Sequence, residues 1–261
     1  MFADLLRDGQ TGLLVFARIM AIFMVAPFFS SSAFPGYARV MLAFFTASAC
    51  YSLVDYVIPE NGIEFAMLIL LELLLGIVMG MIMQIVFTVF QVAGQMFSVQ
   101  MGFGASSTYD PLSQVEMPLV GQFFNLVAMF LFVTVGGMRN LFLKGIYSSF
   151  QALTGADILA HPDFLQLFFT GALSGIFQQA IVIAFPVIGT LFLVSLTTGL
   201  LAKAAPNMNL LMLGFPIQIG LGFLMLFMAS PFIISKMSYV FDWGFDLIHR
   251  LLMYHFRGGV L

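Results

Sequence analysis

Residues 164–202 read FLQLFFTGALSGIFQQAIVIAFPVIGTLFLVSLTTGLLA, without one charged side chain. A helix needs about 20 predominantly apolar residues to cross the roughly 30 Å hydrocarbon core of a bilayer, and this stretch exceeds that length. Residues 73–109 and 204–235 are equally free of charge. A soluble fold must present polar faces to water, and three such runs leave almost none. The chain therefore reads as an all-α integral membrane protein, or as a subunit that apolar neighbours cover on nearly every side.

The rest of the composition narrows the function classes. The nine basic residues are scattered singly and the net charge is −3, so no basic stripe exists to neutralise nucleic-acid phosphates. Cys50 is the single cysteine; it excludes an internal disulfide and reads as a packing residue in an apolar run. The apolar run after Arg7 has the outline of a signal peptide. Arg18 interrupts it, however, and no small-x-small cleavage site follows, which predicts a retained first helix.

Hydropathy predicts about six hydrophobic helices, near residues 11–29, 40–56, 65–90, 119–135, 173–201 and 210–234. The link AKAAPNMN (202–209) is short enough to make the last two an antiparallel hairpin. Residues 91–118 are polar and glycine-rich and contain no Lys or Arg, which suggests a loop. Residues 136–169 mix polar and aromatic positions around Arg139 and Lys144 and suggest an interfacial helix. Near the C-terminus, Phe241, Phe245, Ile248 and Leu252 fall on one helical face, as in a helix lying on a surface or a partner.

Motifs for catalysis are missing. There is no phosphate-binding G-x-x-x-x-G-K-[ST], no H-E-x-x-H and no cluster with metal-ligand spacing. The segment GASS (104–107) would need a histidine base within an apolar span to act as a serine nucleophile, and none is present. The reading is of a non-enzyme without metal or cofactor. Arg18 and Glu72 are the charges deep within apolar runs, where each costs roughly 2.5–3.5 kcal/mol if unpartnered. Glu72 is either a proton carrier or pore-lining acid, or half of a structural pair with Arg18 or with another subunit. The step FPVIG around Pro186 echoes FPIQIG around Pro216. Proline removes a helical hydrogen bond, so these positions mark either kinked helices along a pathway or prolines tolerated within a bundle. Gly76–Gly80 and Gly171–Gly175 have the spacing that lets helices approach closely. In the segment 103–118, Gly102 and Gly104 precede Pro111 and Pro118, and Asp110-Pro111 initiates a turn. That composition suits an ordinary surface loop as well as a functional one.

The stretch VAGQMFSVQMGFGASSTYDP (92–111), the link 202–209 and LGFPIQIGLGF (213–223) together resemble the FliR/SpaR family of bacterial type III secretion export-gate subunits, in its flagellar form. The resemblance extends from the first helix through the C-terminal one. It implies a FliP-like part (1–170) and a FliQ-like hairpin with an amphipathic helix (171–261). It further implies assembly with FliP-like and FliQ-like subunits into a closed protein-conducting channel for unfolded flagellar proteins. FlhB-like and FlhA-like subunits and a cytoplasmic ATPase would act with that gate. The site would be the inner membrane at the flagellar basal body, with parts raised toward the periplasm. Phe103, Gly104, Ser106, Ser107, Tyr109, Asp110 and Pro111 fall on the family's pore plug loop. Orientation stays open, because the positive-inside rule puts the termini in the cytoplasm and the family hairpin puts them outside. A small-solute secondary transporter, with broken helices around a midplane site, is the alternative function; an intramembrane protease is a more distant one.

Overall fold

The computed structural model describes residues 2–31, 34–54, 56–59, 61–103, 119–155, 163–204 and 210–254. The chain forms α1 (Phe2–Val25), α2 (Pro27–Ser30), α3 (Gly36–Cys50), α4 (Gly62–Gln100), α5 (Leu119–Thr134), α6 (Gly137–Ala152), α7 (Asp163–Ala204) and α8 (Leu210–Tyr254), with no strand among the described residues. The middle of α6, Leu141–Tyr147, winds as a π-helix. The all-α architecture is the one that hydropathy predicts.

The helix lengths differ from the sequence expectation in an informative way. Among the described residues four helices are long and apolar enough to cross a membrane, or five if α5 and α6 count as one broken span, where hydropathy suggested about six. The apolar run 40–56 yields α3, only 15 residues long, because Pro35 fixes its start and the chain turns extended at Val54 (φ −127°, ψ 123°) after a short 3₁₀ turn. At 1.5 Å per residue it reaches about 22 Å, short of the hydrocarbon core. The other helices run longer than predicted. α4 continues through 91–100, where Gln91 and Gln95 are exposed while Ala93, Phe97 and Met101 are buried. The polar stretch there is a continuation of the helix, not a loop.

α4 stops at a Schellman motif. Gly102 takes φ +86°, its N–H bonds the Val99 carbonyl at 3.1 Å, and the Phe103 N–H bonds the Ser98 carbonyl at 3.0 Å. Glycine is the residue that adopts this left-handed C′ position without strain. Similarly, α7 begins at Asp163, ten residues before the predicted 173, and α8 merges the expected sixth helix with the C-terminal amphipathic one. Nothing at Ser235, Lys236 or Ser238 breaks the winding, and Phe241, Phe245, Ile248 and Leu252 are all buried as their spacing predicts.

The chain divides into two compact units, neither continuous in sequence. The first comprises Met1–Val86, Gly136–Leu173 and Phe241–Leu261; the second comprises Phe87–Val135 and Ser174–Val240. In the first, α1 lies along α3 and along the start of α4. A Cβ on Gly76 would overlap the Arg18 carbonyl and lie 2.7 Å from the Ala21 Cβ; one on Gly80 would lie 2.7 Å from the Val25 Cβ. The Gly76–Gly80 step is thus where α1 and α4 touch backbone to backbone, whereas Gly171 faces open space. In the second unit, Gly94 and Gly121 bring α4 and α5 together: a Cβ on Gly94 would lie 2.5 Å from the Gly121 Cα. Phe97 and Phe124 stack beside this crossing, 4.9 Å between centroids.

α7 and α8 form the antiparallel hairpin expected from their short link. The Gln218 amide donates to the Ser195 hydroxyl at 3.0 Å, which sets their register. Counting back along antiparallel helices from that pair, Pro186 lies level with residues near 227–231, and it lines a recess with Phe232. Pro186 therefore falls near Pro231 and about three turns from the level of Pro216. We expect a short bifunctional reagent to crosslink a Ser195→Cys, Gln218→Cys pair in an otherwise cysteine-free chain. An Ala184→Cys, Gln218→Cys pair should remain unlinked; the opposite pattern, read by mobility on denaturing gels, would discard this register.

Candidate functional site

Arg18 and Glu72, both with no exposed side-chain surface, meet in the first unit with Arg18 Nε 2.6 Å from Glu72 Oε2. The small-residue crossing at Gly76 brings α1 close enough to α4 for this pairing. Burial of a guanidinium is tolerable only when its five N–H donors are used. Nε donates to Glu72; Nη1 donates to the Ser149 carbonyl at 3.0 Å and to its hydroxyl at 3.4 Å. Nη2 donates to the Leu153 carbonyl at 2.9 Å and the Tyr56 hydroxyl at 3.2 Å. The Phe150 ring lies 4.3 Å from the guanidinium carbon, so one face of the cation also rests on a π-system.

The carboxylate is equally engaged. Glu72 Oε1 accepts from the Gly155 N–H at 2.7 Å. Gly155 fits there because it has no side chain: a Cβ would lie 2.7–2.8 Å from Leu71 and Glu72 backbone atoms. Ser149 and Leu153 sit in the last turn of α6 and just beyond it, so the guanidinium occupies the negative end of that helix. The pair clasps the exit of α6, through carbonyls on the Arg18 side and an N–H on the Glu72 side. Tyr56, in the connection between α3 and α4, closes the cluster; burial pushes its phenol well above the ordinary value, opposed by the adjacent Arg18 charge. It therefore stays a neutral hydroxyl.

Tyr56, Ser149, Leu153 and Gly155 were not legible as partners in the sequence. Two of the contributions are backbone carbonyls and one is a backbone N–H, which carry no residue-type signal. With both carboxylate oxygens and all guanidinium donors occupied, the geometry is that of a fixed ion pair.

The other sequence candidates are placed as follows. Phe103 packs edge-on against Phe223, with centroids 6.5 Å apart, and the neighbouring Met101 side chain fills the space beside Gly222. Gly104, Ser106, Ser107, Tyr109, Asp110 and Pro111 lie outside the described residues. α7 and α8 run without interruption past Pro186 and Pro216, and the Thr190 hydroxyl donates to the Pro186 carbonyl at 2.8 Å.

Comparison with known proteins gives a consistent answer. Residues 10–243 match the family described as bacterial export proteins, family 1. The chain is 33% identical over 246 residues to the flagellar biosynthetic protein FliR of Bacillus subtilis, covering 92% of this chain and 93% of that one. FliR of Pectobacterium carotovorum is 29% identical over 241 residues, 91% of this chain and 90% of its own. FliR of Escherichia coli K12 is 29% identical over 237 residues, 90% of each chain. The chain belongs to bacterial export protein family 1, and it is an all-α membrane protein of flagellar export.

Substituting one member of the buried pair strands the other charge. We expect Glu72→Gln, with Arg18 left in place, to destabilise the fold by about 3–5 kcal/mol. The double variant Arg18→Met, Glu72→Met should recover most of that loss and should support motility better than either single variant. Thermal unfolding in detergent and swarming assays measure the two effects; a double variant that is stable but fully non-motile would instead favour a proton-carrying Glu72.

Proposed function

We propose that this chain is a core subunit of the flagellar type III secretion export gate. With FliP-like and FliQ-like subunits it builds a closed protein-conducting channel for unfolded flagellar proteins. FlhB-like and FlhA-like subunits act with that channel. The assembly resides in the bacterial inner membrane at the basal body, with part of it raised toward the periplasm. Family membership supports the export role, and one physical observation carries the assembly role.

That observation is helix length set against burial. α4, α7 and α8 have 39, 42 and 45 residues, about 58, 63 and 67 Å at 1.5 Å per residue. Each is about twice the hydrocarbon thickness. The tilt that would fit them into a bilayer lies far outside the observed range of up to about 40°. Yet only 28% of the most apolar part of α7, and 11% of that of α8, is buried within this chain. Phe177, Phe185, Phe192, Phe223 and Phe227 all stand exposed. Apolar helix that is neither in lipid nor in the chain's own core needs other protein around it, and a multisubunit gate supplies that. A secondary transporter working as a monomer or dimer would not call for helices of this length.

The hypothesis makes the oligomer the decisive measurement. Native mass spectrometry of the detergent-extracted complex should find one copy of this chain with several copies each of two small membrane proteins. A ligand-binding monomer or dimer lacking both would refute the gate reading.

The segment 103–118 supplies the second test. Gly102 ends α4 at a defined point, and the family resemblance supports reading this segment as the plug of the closed pore. Deleting residues 106–113 should leave the complex assembled but let ions and small solutes through. Conductance equal to wild type in an intact complex would count against the plug.

A further inference from the structure

Phe177, Ile181 and Phe185, on consecutive turns of α7, all stand exposed. Side chains four apart stack along a helix, so the three form a ridge. It drops one turn further on at Gly189, where even a Cβ would meet nothing within 4 Å. On each flank the surface of the second unit opens into a recess bordered by Ile181 and Phe185. The recess toward α4, of about 580 Å³, is otherwise bordered by Val92, Met96, Val99 and Ile188, with Gln95 its one polar side chain. The recess toward α8, of about 430 Å³, is otherwise bordered by Val182, Pro186, Phe232 and Lys236. A ridge between two hollows is the relief that a second helix complements: rows of its side chains fill the hollows while the ridge enters the groove between them.

The two flanks differ in charge. Lys236, half-buried, holds its ammonium 5.6 Å from the Phe232 ring centroid and 5.8 Å from that of Tyr239. No carboxylate pairs with it among the described residues. Protein laid over this recess would take the ammonium out of water, which is costly for a charge without an opposite partner. An acidic side chain on the covering helix answers that cost. It can do so only on the flank toward α8, because the flank toward α4 offers the neutral Gln95.

We propose that the α7 ridge and its two recesses receive an apolar helix of a neighbouring subunit, and that an Asp or Glu of that helix pairs with Lys236. The proposal rests on the gate reading above, which already calls for protein over this face. It adds the relief that the partner meets and the charge that the partner carries. Shape supplies the contact, and the single charge decides which side of the partner helix turns toward α8.

A photocrosslinking amino acid placed at Val182 of the full-length chain, within the complex extracted in detergent, tests it. Peptide mapping should locate the adduct in an apolar helix of another subunit, with an Asp or Glu within about one turn of the linked residue. Lys236→Glu should lower the adduct yield by about ten-fold, the scale of one charged contact at an interface. Lys236→Gln should lower it by a smaller factor, and Lys236→Arg should keep it. Changing the mapped carboxylate to Lys should restore the yield in the Lys236→Glu background. Adducts with lipid alone, a linked segment without an acidic residue, or one yield for all four side chains at position 236 would overturn the proposal. If native mass spectrometry still finds the two small membrane proteins in that case, the gate reading stands. A wild-type preparation lacking both would overturn the gate reading and this proposal together.

Discussion

A guanidinium taken out of water dictates what surrounds it, and Arg18 does so for the first unit. Its five donors need five acceptors within about 3 Å, placed around one plane. Those acceptors come from three separate places in the chain: α4 (Glu72), the α3–α4 connection (Tyr56) and the end of α6 (Ser149 and Leu153). None of the three can shift without leaving a buried donor unpaired, which costs more than the bond itself contributes. The ion pair therefore acts less as a source of net stability than as a constraint on geometry. Apolar side chains of similar volume could pack as tightly, but they would tolerate sliding by a turn; the guanidinium fork does not.

The constraint works only because the backbones come close enough. Gly76 and Gly80 let α1 lie directly on α4, and Gly155 lets the chain leaving α6 reach the Glu72 backbone. The same device recurs in the second unit, where Gly94 meets Gly121 and Gly222 receives Met101. In an apolar medium the hydrophobic effect does not drive helices together, so close packing and a few polar contacts must do it. Each unit follows that rule in its own way: the first adds a buried charge cluster to its glycine contacts, the second adds the Gln218–Ser195 bond.

The parts legible in the sequence were those that composition controls. Uncharged runs announced α4, α7 and α8, the link 202–209 announced a hairpin, and the spacing of Phe241, Phe245, Ile248 and Leu252 announced their buried face. Helix ends were misjudged wherever polarity was taken for a break. Residues 91–100 carry polar side chains yet continue the helix, and the true stop is Gly102, set by backbone conformation. The 40–56 run failed in the other direction, since Tyr51, Leu53 and Val54 are apolar yet do not continue the α-helix. For the site, Arg18 and Glu72 stood out by their cost in apolar surroundings. Their remaining partners did not, because carbonyls and amides are available at every residue and only the path of the chain selects them. The level of Pro186 was likewise invisible: the echo of the two Phe-Pro steps carries no register, and the antiparallel pairing of Ser195 with Gln218 brings Pro186 near Pro231.

The long helices also solve a problem that their apolar surroundings pose. α7 and α8 carry several hydroxyls amid apolar residues, and each unmet hydroxyl would be costly in lipid or in a subunit interface. Thr190, Ser195 and Thr198 donate to carbonyls four residues earlier, on Pro186, Leu191 and Val194, and Ser230 and Ser238 bond back to Phe227 and Ile234. The hydroxyls thus satisfy themselves within their own helix and ask nothing of whatever lies outside. Back-bonding of this kind bends helices slightly, and Thr190 applies it at Pro186, where the missing amide already loosens the ladder. A surface so arranged is apolar to its neighbours whether they are lipid tails or protein. That indifference suits helices about twice as long as the bilayer is thick, whose two ends must meet different surroundings. Lys236 is the exception: its ammonium lies over the Phe232 and Tyr239 rings of its own helix, and no carboxylate pairs with it among the described residues.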